Sequence, residues 1–139
     1  MQTSEQVAAG ILGIGIDLVE IVRMEESLSK WHAAFKDRLF TADEQAYCDD
    51  KALPARHYAA RFAVKEAVSK AFGTGIGATM GWRDIEVQRD PDTGRPSVRL
   101  TARVQAWADA QGAGDMLISL SHTRDYALAQ ALILRRAAT

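Results

Sequence analysis

Arg61–Gly77 reads RFAVKEAVSKAFGTGIG. It begins as a helical pattern with one acidic residue, Glu66, set among alanines and lysines. It then breaks into glycines at positions 73, 75 and 77. At 3.6 residues per turn, Ala59, Phe62, Ala63, Glu66, Lys70 and Gly73 share one helix face. A second apolar stripe runs through Ala60, Val64, Ala67 or Val68, and Ala71, which leaves Arg61 and Lys65 on the remaining flank. Pro54 suits the first turn and Gly73 the C′ position, so the spacing predicts a long helix over about Pro54–Phe72. Glu66 has two readings. It can pair with Lys70 one turn on, a surface contact worth about 0.3–0.5 kcal/mol. Alternatively it is a metal ligand or general base, with Lys70 placed to meet a phosphate. The glycines also read two ways: as a helix stop, or as a nest of amides for an anion. They are not a Walker loop, because they follow a helix C-terminus and no G-K-[ST] comes next.

Outward from that helix the local signals are clear. Upstream, "TADEQAYCDD" carries a capping box, Thr41 and Glu44, and predicts a short helix. "WHAAFKDRLF" reads as short helix and loop. "ILGIGID" reads as a strand, followed by a helix over about Leu18–Lys30 with Asp17 as its N-cap and Glu20 closing a box. The other reading of Asp17 is a second carboxylate for the same cation as Glu66. Magnesium takes about six oxygens, usually one or two carboxylates plus water and phosphate. "GIGID" is only half a dinucleotide fingerprint, since the third glycine is missing. Downstream, "WRDIEVQRD" alternates as a strand, "PDTGRP" turns a hairpin and "SVRLT" returns. "ARVQAWADAQ" is helical and stops at Gly112. "MLISLSH" and "YALAQALIL" are strands joined by the turn "TRD". Helices first and antiparallel strands later make the class α+β.

The chain has 139 residues, 47% of them hydrophobic, and a net charge of −1 from 17 basic and 18 acidic side chains. That suits one domain over residues 11–139, with residues 1–10 as a flexible N-terminal extension. The charge balance argues against a general nucleic-acid binder. "VAAGILGIGIDLV" is too short and too interrupted by Asp17 to span a membrane or act as a signal sequence. The single cysteine, Cys48, excludes an intrachain disulfide, and a reduced cytoplasmic setting is expected. Histidines 32, 57 and 122 show no metal-binding spacing. His122, in "SLSHTRDY", stands where a strand meets a turn. It reads as an ordinary turn residue or as a phosphate or nucleotide contact. Trp31, Trp82 and Trp107 read as core.

Two segments, "GIGIDLVEIVR" and "RFAVKEAVSKAFGTGIG", resemble the signature blocks of holo-acyl-carrier-protein synthases, within the 4′-phosphopantetheinyl transferase family. "ISLSHTRDYALAQALI" is similar to that family's closing strand pair, and the resemblance covers about residues 11–135. It implies an antiparallel sheet packed against a long central helix. It implies transfer of the phosphopantetheine arm of coenzyme A to a serine of an apo acyl carrier protein, with release of adenosine 3′,5′-bisphosphate, in fatty acid or polyketide synthesis. Asp17 and Glu66 match magnesium ligands, Lys70 a lysine beside the phosphates, and Glu66, or a water it orients, the base. Arg61 and the loop of Gly73, Gly75 and Gly77 match positions near the bound nucleotide. His122 and Thr123 match a segment that similar proteins place across a subunit interface, which implies a homotrimer. Arg23 matches the arginine that receives the carrier, although Glu25 and Glu26 make its helix less basic than the family pattern. The competing readings are a non-catalytic coenzyme A or nucleotide-binding module of the same fold and a magnesium-dependent nucleotide hydrolase.

Overall fold

The computed structural model describes residues 10–137. The expected extension over residues 1–10 therefore falls, apart from Gly10, outside the described residues. Strand β1 (Ile11–Glu20) leads into helix α1 (Ile21–Leu39), short helix α2 (Ala42–Asp49) and long helix α3 (Pro54–Ala71). A single 3-10 turn (Trp82–Asp84) precedes the hairpin of β2 (Ile85–Arg89) and β3 (Pro96–Leu100). Helix α4 (Ala102–Ala110) and the strands β4 (Ala113–His122) and β5 (Tyr126–Arg135) complete the chain. β1, β5 and β4 form an antiparallel sheet in that order, while β2 and β3 pair separately. The α+β class and the long helix against the sheet match the sequence reading.

Helix α3 is enclosed on several sides. Its Ala63, Val64, Ala67 and Val68 join one core cluster with Ile85, Val104, Ala129 and Ile133. Its Tyr58, Ala59 and Ala60 join another with Ile21, Met24, Leu39 and Phe40. Alanines at 127, 129 and 131 on β5 present a thin surface, so the helix lies close to the sheet. The enclosure extends to the flank that holds Arg61 and Lys65, both of which are buried.

Lys65 is fully buried and spends all three N–H donors. Its Nζ donates to Glu44 Oε1 at 2.8 Å, to the Trp82 carbonyl at 2.9 Å and to the Ile85 carbonyl. Glu44 also closes the capping box with Thr41 and accepts from Val87 N at 2.9 Å. Burial pulls the Lys65 ammonium below its ordinary pKa and Glu44 opposes that. Three acceptors around one nitrogen require the charged form. The expected cap at Glu44 is present, and it ties α2 to α3 and β2 as well.

β1 is longer than its sequence pattern predicts. Its register runs unbroken through Asp17↔Ala129 to Glu20↔Tyr126, and Ile21 N donates to the Asp125 carbonyl at 2.9 Å. Asp17 is consequently mid-strand and not a helix cap. α1 starts at Ile21 with Glu20 in the cap position and no side-chain cap bond. α1 then continues to Leu39 through a break at His32 (φ 50°, ψ −132°), joining what the sequence reading divided. Trp31, expected in the core, is 56% exposed beside that break.

Gly13 and Gly15 explain the glycine pattern of "GIGID". A Cβ at Gly15 would stand 1.9 Å from the Ala67 carbonyl oxygen, and one at Gly13 1.8 Å from that of Ala71. The glycines let β1 lie directly on α3. Gly15→Ala is expected to cost about 1–3 kcal/mol of stability by overpacking, read as a lower melting temperature, and to lower activity by moving Asp17 away from Glu66.

Candidate active site

Strand alternation turns Gly13, Gly15 and Asp17 toward α3, while Ile14, Ile16 and Leu18 face outward and are exposed. Asp17 thus meets the Glu66–Lys70 face of the helix. Lys70 Nζ donates to Asp17 Oδ1 at 3.0 Å and to the Ile16 carbonyl at 3.1 Å. The ion pair that forms is Lys70–Asp17. Among the described residues there is none between Lys70 and Glu66, which corrects the intrahelical pairing. Lys70 remains 49% exposed, so its pair with Asp17 is worth no more than about 1 kcal/mol and yields readily to a phosphate.

Glu66 is half-buried in the same place. Burial pushes its carboxyl above the ordinary range, the negative charge of Asp17 pushes it further, and Lys70 only partly offsets them. Asp17, Glu66, Arg23, Met24, Phe35 and Phe62 share a cavity of about 530 Å³. Phe62 stacks on Trp82 with centroids 4.8 Å apart, which gives that cavity a firm apolar wall. Two carboxylates offer only oxygen donors, a set that suits magnesium and leaves further coordination to water and phosphate. No group of three or more potential metal ligands occurs among the described residues. A cation here would share its shell with a bound ligand.

The glycine segment acts as the helix stop. Gly73 and Gly75 have φ of 79° and 63°. Gly73 N donates to the Lys70 carbonyl, and Thr74 N and Gly75 N to the Ser69 carbonyl. Gly77 N donates to the Met80 carbonyl. These amides serve the chain itself, so a preformed nest for an anion is not what they build. A Cβ at any of the three glycines would meet nothing within 4 Å, so the loop borders open space.

Arg61 and His122 meet elsewhere. They line a cavity of about 180 Å³ with His57, Arg89, Gly94 and Ser119. The Arg61 guanidinium stacks over the Tyr47 ring at 4.0 Å, is 5% exposed, and its Nε has no hydrogen-bond partner. Arg89 donates to the Tyr47 hydroxyl at 3.3 Å. Burial alone would raise the Tyr47 phenol, but Arg89, Arg61 and Lys51 outweigh it and bring it below its ordinary value. Such a concentration of cations, with a buried donor left over, fits an anionic ligand. Thr123 has its hydroxyl engaged by the backbone N–H of Asp125 and Tyr126, so it shapes the turn after His122.

The structure therefore gathers Asp17, Glu66, Lys70 and Arg23 in one place and Arg61 and His122 in another. Sequence reading missed Tyr47, His57 and Arg89. His57 stands one helical turn before Arg61, a spacing that puts both on one face. Tyr47 and Arg89 arrive from α2 and β2 and carry no local signal.

A family model described as the 4′-phosphopantetheinyl transferase superfamily matches residues 13–131. The holo-[acyl-carrier-protein] synthase of Ruminiclostridium cellulolyticum is 42% identical over 121 residues, which is 86% of this chain and 90% of that protein. That of Syntrophus aciditrophicus is 44% identical over 115 residues, 83% of this chain and 89% of that protein. The crystal structure of the corresponding synthase from Neisseria meningitidis superposes with a TM-score of 0.83 at 32% identity, covering 88% of this chain and 98% of that one. The Helicobacter pylori synthase, solved in complex with coenzyme A, gives 0.77 at 31% identity over 86% and 98% of the two chains.

Proposed function

Since the chain belongs to the 4′-phosphopantetheinyl transferase superfamily, we propose that Asp17, Glu66 and Lys70 form the reacting half of its site and Arg61 and His122 the nucleotide half. The activity is transfer of the phosphopantetheine arm of coenzyme A to a serine of apo acyl carrier protein, leaving adenosine 3′,5′-bisphosphate. The observation that carries the residue assignment is the meeting of two carboxylates in one cavity, one of them paired to a releasable lysine.

The roles follow from charge and position. Glu66, whose carboxyl burial and then Asp17 raise above its ordinary range, accepts the proton of the carrier serine. The serine oxygen then attacks the β-phosphorus in line, and its bond to the bridging oxygen breaks. Lys70 leaves Asp17 for the departing phosphate and neutralises its charge. Asp17 and Glu66 would hold magnesium, which supplies charge neutralisation across the pyrophosphate. Arg23, which lines the same cavity as both carboxylates, meets an acidic carrier surface. Lys36 is paired with Asp49, and Glu25 and Glu26 offset Lys30 and Arg38, so the docking face is only weakly basic.

The two halves lie in separate cavities, which supports a site shared between protomers, as the resemblance at His122 and Thr123 implied. The outer sheet face supports the same reading: Ile14, Ile16, Leu18, Leu117 and Leu128 are 40–61% exposed on three neighbouring strands. A homotrimer with three shared sites is the proposed assembly. Gly73, Gly75 and Gly77 border the nucleotide as an open rim, and Thr123 sets the His122 turn. Fatty acid synthesis in the cytoplasm is the proposed setting, in keeping with the lone Cys48, whose thiol burial pushes up to about 12. No helix among the described residues is long and apolar enough to cross a membrane.

Subunit mixing tests the division. Glu66→Gln and the Arg61→Ala/His122→Ala double variant should each be nearly inactive, and exchange of subunits between them should restore transfer. Confirmed mixed oligomers that stay inactive would sink the shared site.

A further inference from the structure

His57 is the one ring in the cationic cavity to which no role has been given. It stands between two others in an edge-to-face series: Tyr47 to His57 at 5.9 Å and 74°, then His57 to His122 at 5.6 Å and 69°. The series runs from α2 through α3 to β4. The His122 ring therefore cannot turn away without giving up its contact with His57. The groups facing His57 are mostly cationic: Arg61 from its own helix, Lys51 just after α2, Arg89 from β2 and His122 from β4. Asp90 and Asp92 of the β2–β3 turn line a second, adjoining cavity with Lys51, Arg89 and His57 itself. They are the acidic groups on that side, and their exposed turn places them in solvent.

We infer that His57 is a further positioning residue of the nucleotide half-site: its ring seats His122, and the proton it takes up when a phosphate enters ties coenzyme A binding to pH. This rests on the reading of Arg61 and His122 as nucleotide contacts. Burial and then the neighbouring cations hold free His57 in its neutral form at neutral pH. A phosphate anion entering the cavity would reverse that balance, because it adds negative charge away from the solvent that screens Asp90 and Asp92. Binding then takes up a proton and tightens as pH falls toward the histidine range. The phosphate also titrates near pH ~6, which weakens binding in acid. Only the comparison with a variant lacking the His57 proton isolates the effect.

The test is KM for coenzyme A against pH in the wild type, His57→Phe, His57→Ala and His122→Ala. Phenylalanine keeps the ring and removes the proton. The ratio of KM in His57→Phe to KM in the wild type is expected to grow about threefold between about pH 7.5 and about pH 6. His57→Ala, which loses the ring, should raise KM at both pH values by more than it lowers kcat. A ratio that stays flat with pH, while His122→Ala raises KM, would overturn the role of His57 alone. An unchanged KM in His122→Ala would remove the nucleotide half-site and this inference together.

Discussion

Glu66→Gln lowers phosphopantetheine transfer by about a hundredfold to ten-thousandfold while the protein stays folded, the range expected when a general base is lost. The amide keeps the shape of the carboxylate, so the packing of α3 is undisturbed. It cannot accept the serine proton and it weakens the hold on a cation. Its effect on stability has the opposite sign. The Glu66 carboxyl is raised by burial and by Asp17, so the folded state binds its proton more tightly than the unfolded chain. Stability is then lost as pH rises from the ordinary carboxyl value through the raised one, and the deficit persists at neutral pH. In metal-free protein Glu66→Gln removes the deficit. Its melting temperature at neutral pH should equal or exceed that of the wild type. Near-normal turnover would remove Glu66 from the reacting half, and a marked loss of melting temperature would show that its carboxylate supports the fold.

Lys65→Met is the mutation with the largest expected effect on stability, about 3–5 kcal/mol, because it leaves the fully buried Glu44 without its cation. Two carbonyls, of Trp82 and Ile85, lose their donor at the same time. Replacing the pair as a whole does not rescue it as it would an isolated ion pair. Glu44 also satisfies Thr41 N and Val87 N, so Glu44→Leu leaves two further donors unpaired, the second of them buried. Denaturant melts of both single variants and of the double variant should give three proteins all well below the wild type. A double variant close to wild-type stability would mean that the pair is dispensable to the junction of α2, α3 and β2.

The parts of this fold that were legible in the sequence are those written in local chemistry. The Thr41–Glu44 box, Pro54 at the head of α3, Gly73 after its end and the "PDTGRP" hairpin each state their role within a few residues. What was not legible depends on distant partners. The long helix looked two-sided from its period, yet Lys65 is buried because an acid from α2 and carbonyls beside β2 converge on it. Asp17 had the spacing of a cap, but pairing with β5 kept it in the strand. "GIGID" looked like half a nucleotide motif. Its glycines serve instead to remove side chains where β1 crosses α3. Of the site, the identities of Asp17, Glu66 and Lys70 were available from the resemblance. That Lys70 rests on Asp17 and not on Glu66, and that Arg61 and His122 sit in a separate cationic cavity, required the fold.

The central claim is covalent transfer to a carrier serine, and an intact-mass measurement tests it most directly. The protein, coenzyme A and magnesium are mixed with an apo acyl carrier protein, beside a carrier whose acceptor serine is alanine. The account predicts a gain of ~340 Da, the mass of the arm, on the first carrier and none on the second. Bound coenzyme A with no gain on any carrier would contradict it and favour a binding module, and coenzyme A cleaved without a carrier would make the protein a hydrolase.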